Sequence, residues 1–138
     1  MTNQEIAKLY ANGKTNGQAG NMYIVGDCIY SYGQHFTIAR KLREGLYIIN
    51  ANRYSNTTAR HISHVRGELE KMGAIIIESV QDDRNRLELN LKYLEDKRDE
   101  ITQKIKRART AHMRDAYNTQ LWYCNNMLSY AQKILRVK

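Results

Sequence analysis

"NMYIVGDCIYSYGQHFTIARKLREGLYIINANRY", residues 21–54, determines the architecture more than any other segment of the chain. The segment is rich in β-branched and aromatic residues, and "GD" and "REG" interrupt it where tight turns would be needed. Gly26 followed by Asp27 suits a two-residue hairpin turn with glycine first. The segment therefore predicts a meander of three or four short antiparallel strands.

The residues before the meander predict a short helix and a loop. Thr2 and Glu5 have the spacing of a capping box, in which each side chain accepts a hydrogen bond from a free backbone amide. Ile6, Leu9 and Tyr10 add an apolar stripe. "KTNGQAG", residues 14–20, is typical of a loop because glycine and asparagine tolerate turn conformations.

The residues after the meander predict a helix and a further strand. In residues 57–72 the apolar positions fall 3, 4 and 3 apart, which is the period of one helical face. Ser55 or Asn56 is the expected N-cap, and Gly73 is the expected terminator. "AIIIESV", residues 74–80, is typical of a buried strand that returns to the sheet.

From residue 82 onward the pattern is that of long helix. Two seams with alternating spacings of four and three end at Ala108 and resume at Tyr117, so a break near Thr110–Asp115 would give an antiparallel hairpin. A single continuous helix that dimerises is the alternative. We favour the hairpin because the seams have similar length and lose phase between them.

These elements predict an α+β fold: a small antiparallel β-sheet with one packed helix, plus a C-terminal antiparallel αα-hairpin. Residues 1–80 would hold the N-terminal helix and the sheet, and residues 81–138 the basic hairpin, within one compact domain. Cys28 and Cys124 lie far apart without metal-type spacing, so we expect two reduced, buried thiols.

Bulk composition narrows the class of protein. The chain has no apolar run long enough to cross a bilayer and no secretory signal pattern, so we expect a soluble, intracellular protein. It carries a net charge of +8, and residues 101–138 hold eight Lys/Arg against Asp115 alone. Such asymmetry indicates a polyanionic partner or simply serves solubility. Neither a P-loop nor a dinucleotide fingerprint occurs, and no cofactor is predicted.

The strongest candidate binding surface is the segment "KIKRARTAHMR", residues 104–114, at the tip of the predicted hairpin. Its cationic residues, here named the basic tip, are Lys104, Lys106, Arg107, Arg109 and Arg114. Phosphate oxygens or an acidic protein patch would suit them. The alternative is a solvated helix end.

A second candidate lies at the start of the helix predicted over 57–72, because amides at a helix N-terminus attract anions. Its candidate binding residues are Arg53, Thr57, Thr58, Arg60, His61 and His64. Ordinary capping is the simpler interpretation. Spacing fixes no third ligand beside the two histidines, even with His35 or Glu68, so no metal site is predicted.

The meander also holds many of the chain's ten tyrosines. They would form either half-buried sheet positions or an aromatic contact face. The residues concerned are Tyr23, Tyr30, Tyr32, Tyr47 and Tyr54.

Two segments resemble a module found in small proteins of phages and other mobile elements. Residues 29–39 match Ile-Tyr-Ser-Tyr-Gly-x-His-Phe-x-Ile-Ala, and residues 54–61 match Tyr-Ser-x-Thr-Thr-x-Arg/Lys-His loosely, because Ala59 and Arg60 precede His61. The resemblance covers about 45 residues and excludes the C-terminal helices. It implies a viral or mobile-element origin and transfers no catalytic residues.

From that origin and the charge we expect a phage-type accessory protein that acts by binding. The leading hypothesis is a non-enzymatic, anti-CRISPR-like inhibitor of a host defence nuclease, whose partner is a host defence protein or ribonucleoprotein complex. The alternatives are direct DNA or RNA binding, a small nuclease using His35, His61 and Arg40, and a structural phage component. A homodimer is compatible with each, and no membrane partner is expected. Such an origin implies a cytoplasmic location in a bacterial host cell.

Overall fold

The computed structural model describes residues 1–31, 36–52 and 55–137, and its elements fall into two units, Met1–Glu88 and Leu89–Lys138. The first unit contains two helices and six strands: α1 Asn3–Ala11, β1 Asn16–Ala19, β2 Met22–Val25, β3 Cys28–Ser31, β4 Phe36–Arg43, β5 Leu46–Asn50, α2 Asn56–Lys71 and β6 Ile75–Ser79. The second unit contains α3 Leu91–Arg107 and α4 Ala111–Val137. The α+β class predicted from the sequence is confirmed.

The sheet is ordered β1-β2-β3-β4-β5-β6, so each strand pairs with its neighbours in the chain. Pairs from β1 to β5 are antiparallel, whereas β5 and β6 are parallel. Gly26 has φ +62° in the turn between β2 and β3, as a turn with glycine first requires. The predicted meander and the returning strand are both confirmed.

The core of the first unit lies between the sheet and the helices α1 and α2. Val65 and Leu69 of α2 and Ile6 of α1 are fully buried there, beside sheet residues such as Ile24 and Ile49. The capping box of α1 and the Ser55 cap of α2 are present as predicted. Local capping and an apolar stripe therefore place both helices on the same cluster.

The segment predicted as a loop, residues 14–20, is corrected by the structure. Residues Asn16–Ala19 form β1, which pairs with β2 through a turn at Gly20 and Asn21. The β1 strand itself lacks β-branched residues, and its pairing comes from backbone hydrogen bonds and from the left-handed Gly20, with φ +57°.

The long helix predicted from residue 82 begins at Leu91 instead. Asp82 explains the difference, because its carboxylate accepts hydrogen bonds from the amides of Arg84 and Arg86 at 2.8 and 3.0 Å. Side-chain acceptors of this kind compete with helix formation. Asn90 then caps α3 through the amide of Tyr93.

The helices of the second unit pack against each other as the predicted hairpin. The Cys124 thiol lies 3.5 Å from the Leu94 carbonyl oxygen. Both residues are fifteen positions from Arg109 in the connection, as expected for residues that meet in an antiparallel hairpin. The connection is earlier and shorter than the predicted Thr110–Asp115, because Thr110 accepts a hydrogen bond from the Met113 amide and α4 starts at Ala111. Both cysteines are free thiols, and Cys124 is buried as expected, whereas Cys28 is only half-buried because it lies on β3 near the sheet surface. Among the described residues, no helix is long and apolar enough to span a membrane.

Leu69→Ala is expected to lower the free energy of unfolding by about 2–5 kcal/mol, because it leaves a cavity in the core of the first unit. Urea denaturation followed by circular dichroism measures the effect. The control is Met72→Ala at the end of the same helix, since Leu69 is 0% exposed and Met72 is 58% exposed. Equal losses in both variants would contradict the core assignment.

Candidate functional site

His61 is buried between α1, α2 and β3, with 2% of its surface exposed. Its Nδ1 atom lies 2.6 Å from Ser31 Oγ, and its Nε2 atom lies 3.3 Å from Asn3 Nδ2. Because the Asn3 amide nitrogen can only donate, Nε2 accepts and Nδ1 donates to Ser31. Burial lowers the pKa of His61, and the neighbouring His64 lowers it further.

A second polar chain runs along the same helix interface. His64 Nδ1 donates to Gln4 Oε1 at 2.7 Å, and the Gln4 amide nitrogen donates to the Glu68 carboxylate. Lys71 approaches Glu68 at 3.3 Å. The hydrogen bond from Gln4, assisted by Lys71, holds the pKa of Glu68 below its usual range. The interface therefore keeps a charged carboxylate satisfied at low exposure.

The hydrogen bond between Ser31 and His61 does not have the direction that a catalytic serine and its base require. Nucleophilic catalysis requires the imidazole to accept the serine proton, whereas here Nδ1 donates to the hydroxyl oxygen. Ser31 is also 0% exposed, so a substrate in solvent does not reach it. The pair links α2 to β3 instead.

The structure does not bring the α2 candidates together as one anion pocket. The Ser55 hydroxyl accepts the Thr58 amide, and Thr58 itself is buried. His61 points to the sheet, whereas Arg60 is exposed to solvent. Thr57 is half-buried, and Arg53 lies outside the described residues. N-capping accounts for the hydroxyl groups at this helix end.

The other residues named from the sequence are also dispersed. Arg40 forms an ion pair with Glu88, and His35 lies outside the described residues, as do Tyr32 and Tyr54. Across residues 1–31, 36–52 and 55–137, no three His, Cys, Asp or Glu side chains are grouped to hold a metal ion.

The described tyrosines of the meander divide between core and strand surface. Tyr47 is buried and packs edge-on against Tyr10, with 5.7 Å between ring centroids. Tyr23 and Tyr30 are half-buried partners across β2 and β3. Burial raises the pKa of Tyr30 to about 12.

The basic tip surrounds the connection between α3 and α4. Lys104, Lys106 and Arg107 occupy the last turn of α3, Arg109 lies in the connection, and Arg114 lies in the first turn of α4. The tip residues are exposed. The hairpin thus assembles all five cations at one end of the second unit.

The members of the basic tip differ in whether their cationic groups already have a partner within the protein. Lys104 pairs with Glu100 at 3.3 Å, and Arg114 donates to the Ala108 carbonyl oxygen at 3.3 Å. Lys106, Arg107 and Arg109 form no ion pair with any residue in the described ranges. These three cations are available to an external anion.

Helix electrostatics explain only part of this arrangement. Cations in the last turn of α3 stabilise the negative end of its dipole. The first turn of α4 has no acid and carries Arg114, so a cation sits at the positive end of that helix. The positive potential at the start of α4 is therefore reinforced instead of neutralised.

Sequence reasoning missed an aromatic neighbour of the tip. Lys104 Nζ lies 6.0 Å from the ring centroid of Tyr117, in the second turn of α4. The two residues come close because the hairpin folds back, so no local spacing signalled the contact. The polar links from α1 to α2 through Asn3 and Gln4 were missed for the same reason.

Residues 1–80 match the family described as "Family of unknown function (DUF8033)". The chain belongs to this family. The DUF8033 match covers α1, α2 and the six-stranded sheet, and the basic tip lies outside it. No curated protein and no solved structure matches the chain. The DUF8033 description gives no source or activity, so the resemblance to phage proteins stays a prediction.

Lowering the pH from about 7.5 to about 5 is expected to destabilise the first unit through His61. The unfolded chain takes up a proton near the ordinary pKa of 6.5, whereas the folded chain does so only at lower pH. This contribution to stability is complete above about 6.5 and declines as the pH falls toward the lowered folded-state pKa.

Urea denaturation at several pH values measures this effect. His61→Gln removes the titrating group, so its free energy of unfolding should depend less on pH in that window. The control His112→Gln, at an exposed position of α4, should keep the wild-type dependence. If the free energy of unfolding of His61→Gln depended on pH as that of the wild type does, His61 would not be the group responsible.

Proposed function

We propose that the protein acts by binding, as a phage-type, anti-CRISPR-like inhibitor of a host defence nuclease, with the basic tip as its docking surface. The observation that carries the proposal is the set of three exposed cations at the end of the hairpin that form no ion pair within the described part of the chain. These are Lys106, Arg107 and Arg109. The proposal assigns no catalytic role to His61 or Ser31.

The target surface is inferred from charge. A nucleic-acid-guided nuclease offers the phosphate groups of its guide, and these pair with guanidinium and ammonium groups. The hairpin orders the backbone that carries these cations before binding, so only their side chains lose conformational freedom when a partner binds. The resemblance to phage and mobile-element proteins supports a defence-related target as a contextual analogy.

Charge reversal of the free tip cations is expected to abolish partner capture. The change is Lys106→Glu with Arg107→Glu and Arg109→Glu. The tagged wild-type chain should retain one protein or ribonucleoprotein partner from a bacterial lysate, identified by mass spectrometry, and the variant should lose it. Loss is expected because three attractive contacts become repulsive.

The matched control reverses three exposed cations elsewhere, which gives the same net charge: Lys14→Glu, Arg43→Glu and Lys97→Glu. It should capture the partner as the wild type does. A purified partner nuclease should then be inhibited by the wild type and the control only. Full inhibition by the tip variant would refute the role of the basic tip.

Direct binding of DNA or RNA is the second candidate, favoured by the contact of Lys104 with Tyr117. A cation beside an aromatic ring is the combination that single-stranded nucleic acid uses, since bases stack on rings while phosphates meet cations.

This second candidate makes a distinct prediction about salt. If three tip cations neutralise phosphates, the logarithm of the binding constant should fall with log salt at a slope of about −2 on single-stranded DNA. Fluorescence anisotropy with labelled oligonucleotides measures the slope, which should be lost in the tip variant. Negligible affinity for free oligonucleotides, with partner capture that survives nuclease treatment, would leave the inhibitor as the remaining proposal.

A further inference from the structure

The middle of α4 is free of charge although it faces solvent. Residues 116–132, "AYNTQLWYCNNMLSYAQ", contain no Asp, Glu, Lys or Arg. In a chain with 26% charged residues, seventeen positions would carry about four. Depletion of charge together with exposed tyrosine and tryptophan is typical of a protein interface.

Three aromatic residues of this segment are exposed. Trp122 is 60% exposed, Tyr123 is 56% exposed and Tyr130 is 38% exposed. Trp122 and Tyr123 contact each other edge-on at 5.0 Å, which gives a continuous aromatic surface. They do not face α3, because the buried seam of α4 consists of Cys124, Leu128 and Ala131.

A single line along α4 contains Trp122 of the aromatic surface and two opposite charges. Asp115, Trp122, Asn126 and Lys133 are separated by 7, 4 and 7 residues, so they lie within about 20° of one line on the helix. Asp115 and Lys133 are eighteen residues apart, which is five turns and about 27 Å. We call this line and its flanking exposed residues Thr119, Tyr123, Ser129 and Tyr130 the α4 face.

The α4 face is complementary to itself when a second copy is turned end for end. An antiparallel pair centred on residue 124 places residue i opposite residue 248−i. Asp115 then meets Lys133, and Trp122 meets Asn126. A parallel pair would place Asp115 against Asp115.

We propose that the α4 face is the interface of a homodimer in which two α4 helices pack antiparallel about a twofold axis near residue 124. Such an isologous interface requires that residue i contacts j and j contacts i, as these pairs do. The face has zero net charge, since Asp115 and Lys133 cancel, so no like charges meet within the interface although each chain carries +8. The aromatic residues supply affinity, and the two ion pairs set the orientation.

Sedimentation equilibrium of the full chain tests the association. The wild type should form a dimer, and Trp122→Ala should raise its dissociation constant by about thirtyfold or more, as truncation of a central interface tryptophan does. Trp122 is the only tryptophan in the sequence, so its fluorescence should shift to shorter wavelength as the dimer forms. The control Met113→Ala truncates an exposed apolar side chain on the opposite side of α4 and should leave the dimer unchanged.

Charge swaps test the antiparallel orientation. Asp115→Lys and Lys133→Asp should each weaken the dimer, because each places like charges opposite one another. The double variant should restore the dimer, because the two exchanged charges would again attract each other across the twofold axis. The two positions are too far apart to meet within one helix, so restoration reports contact between copies.

Three outcomes would overturn the proposal. The chain could stay monomeric at hundreds of micromolar, the Trp122→Ala chain could associate as the wild type does, or the double charge variant could fail to restore the dimer. If the chain were monomeric and lost its captured partner in the Trp122→Ala variant, the α4 face would bind a different protein instead of a second copy. None of these variants alters the basic tip, so the result is independent of the proposed inhibitory function.

Discussion

The parallel pairing of β5 with β6 is the constraint on which the first unit depends. Two parallel neighbours cannot be joined by a tight turn, so the chain must cross over a face of the sheet between them. That crossover is α2, and its apolar stripe has to be buried against the strands beneath it. The α1 helix packs on the same face beside α2. The position of the core and of the His61 and Glu68 contacts follows from this crossover.

The two units have different electrostatic characters. Met1–Glu88 carries eleven Lys/Arg against nine Asp/Glu, whereas Leu89–Lys138 carries eleven against five. Several charges in the first unit form ion pairs, such as those of Arg66 with Glu78 and of Arg40 with Glu88. The second unit keeps exposed cations at the basic tip and a neutral α4 face along its length. The unit that matches DUF8033 is thus the nearly neutral one, and the candidate surfaces lie in the other.

Much of this fold can be predicted from local sequence signals. The Thr2 capping box, the Ser55 cap and the Gly26 turn each act through a few neighbouring residues, and each is present. The β1 strand could not be predicted in this way, since its glycine-containing sequence pairs only because β2 is adjacent. The apolar pattern predicted helix over residues 82–90 as well. The Asp82 carboxylate instead accepts hydrogen bonds from the backbone amides of Arg84 and Arg86, and this stabilises a turn there.

The candidate sites divide in the same manner. The basic tip is contiguous in sequence, so its charges could be located once the hairpin was inferred. His61 and Thr58 are buried by elements far away in sequence, and no spacing along α2 indicates this. The α4 face could not be predicted from the sequence for a different reason. Its tyrosine and tryptophan residues are equally compatible with a buried core and with an exposed surface. Only the packing of α4 on α3 decides which side stays exposed.

The correspondence between strand order and chain order has a kinetic consequence. The turns after β1, β2 and β4 each contain two residues, so these hairpins close at small entropic cost and give the sheet many local contacts. The connection from β5 to β6 spans residues 51–74 and must order α2 before its strand can pair. Loop-closure entropy therefore favours a folding order in which the meander forms early and β6 joins last, so that β5 remains an open edge for aggregation until α2 docks.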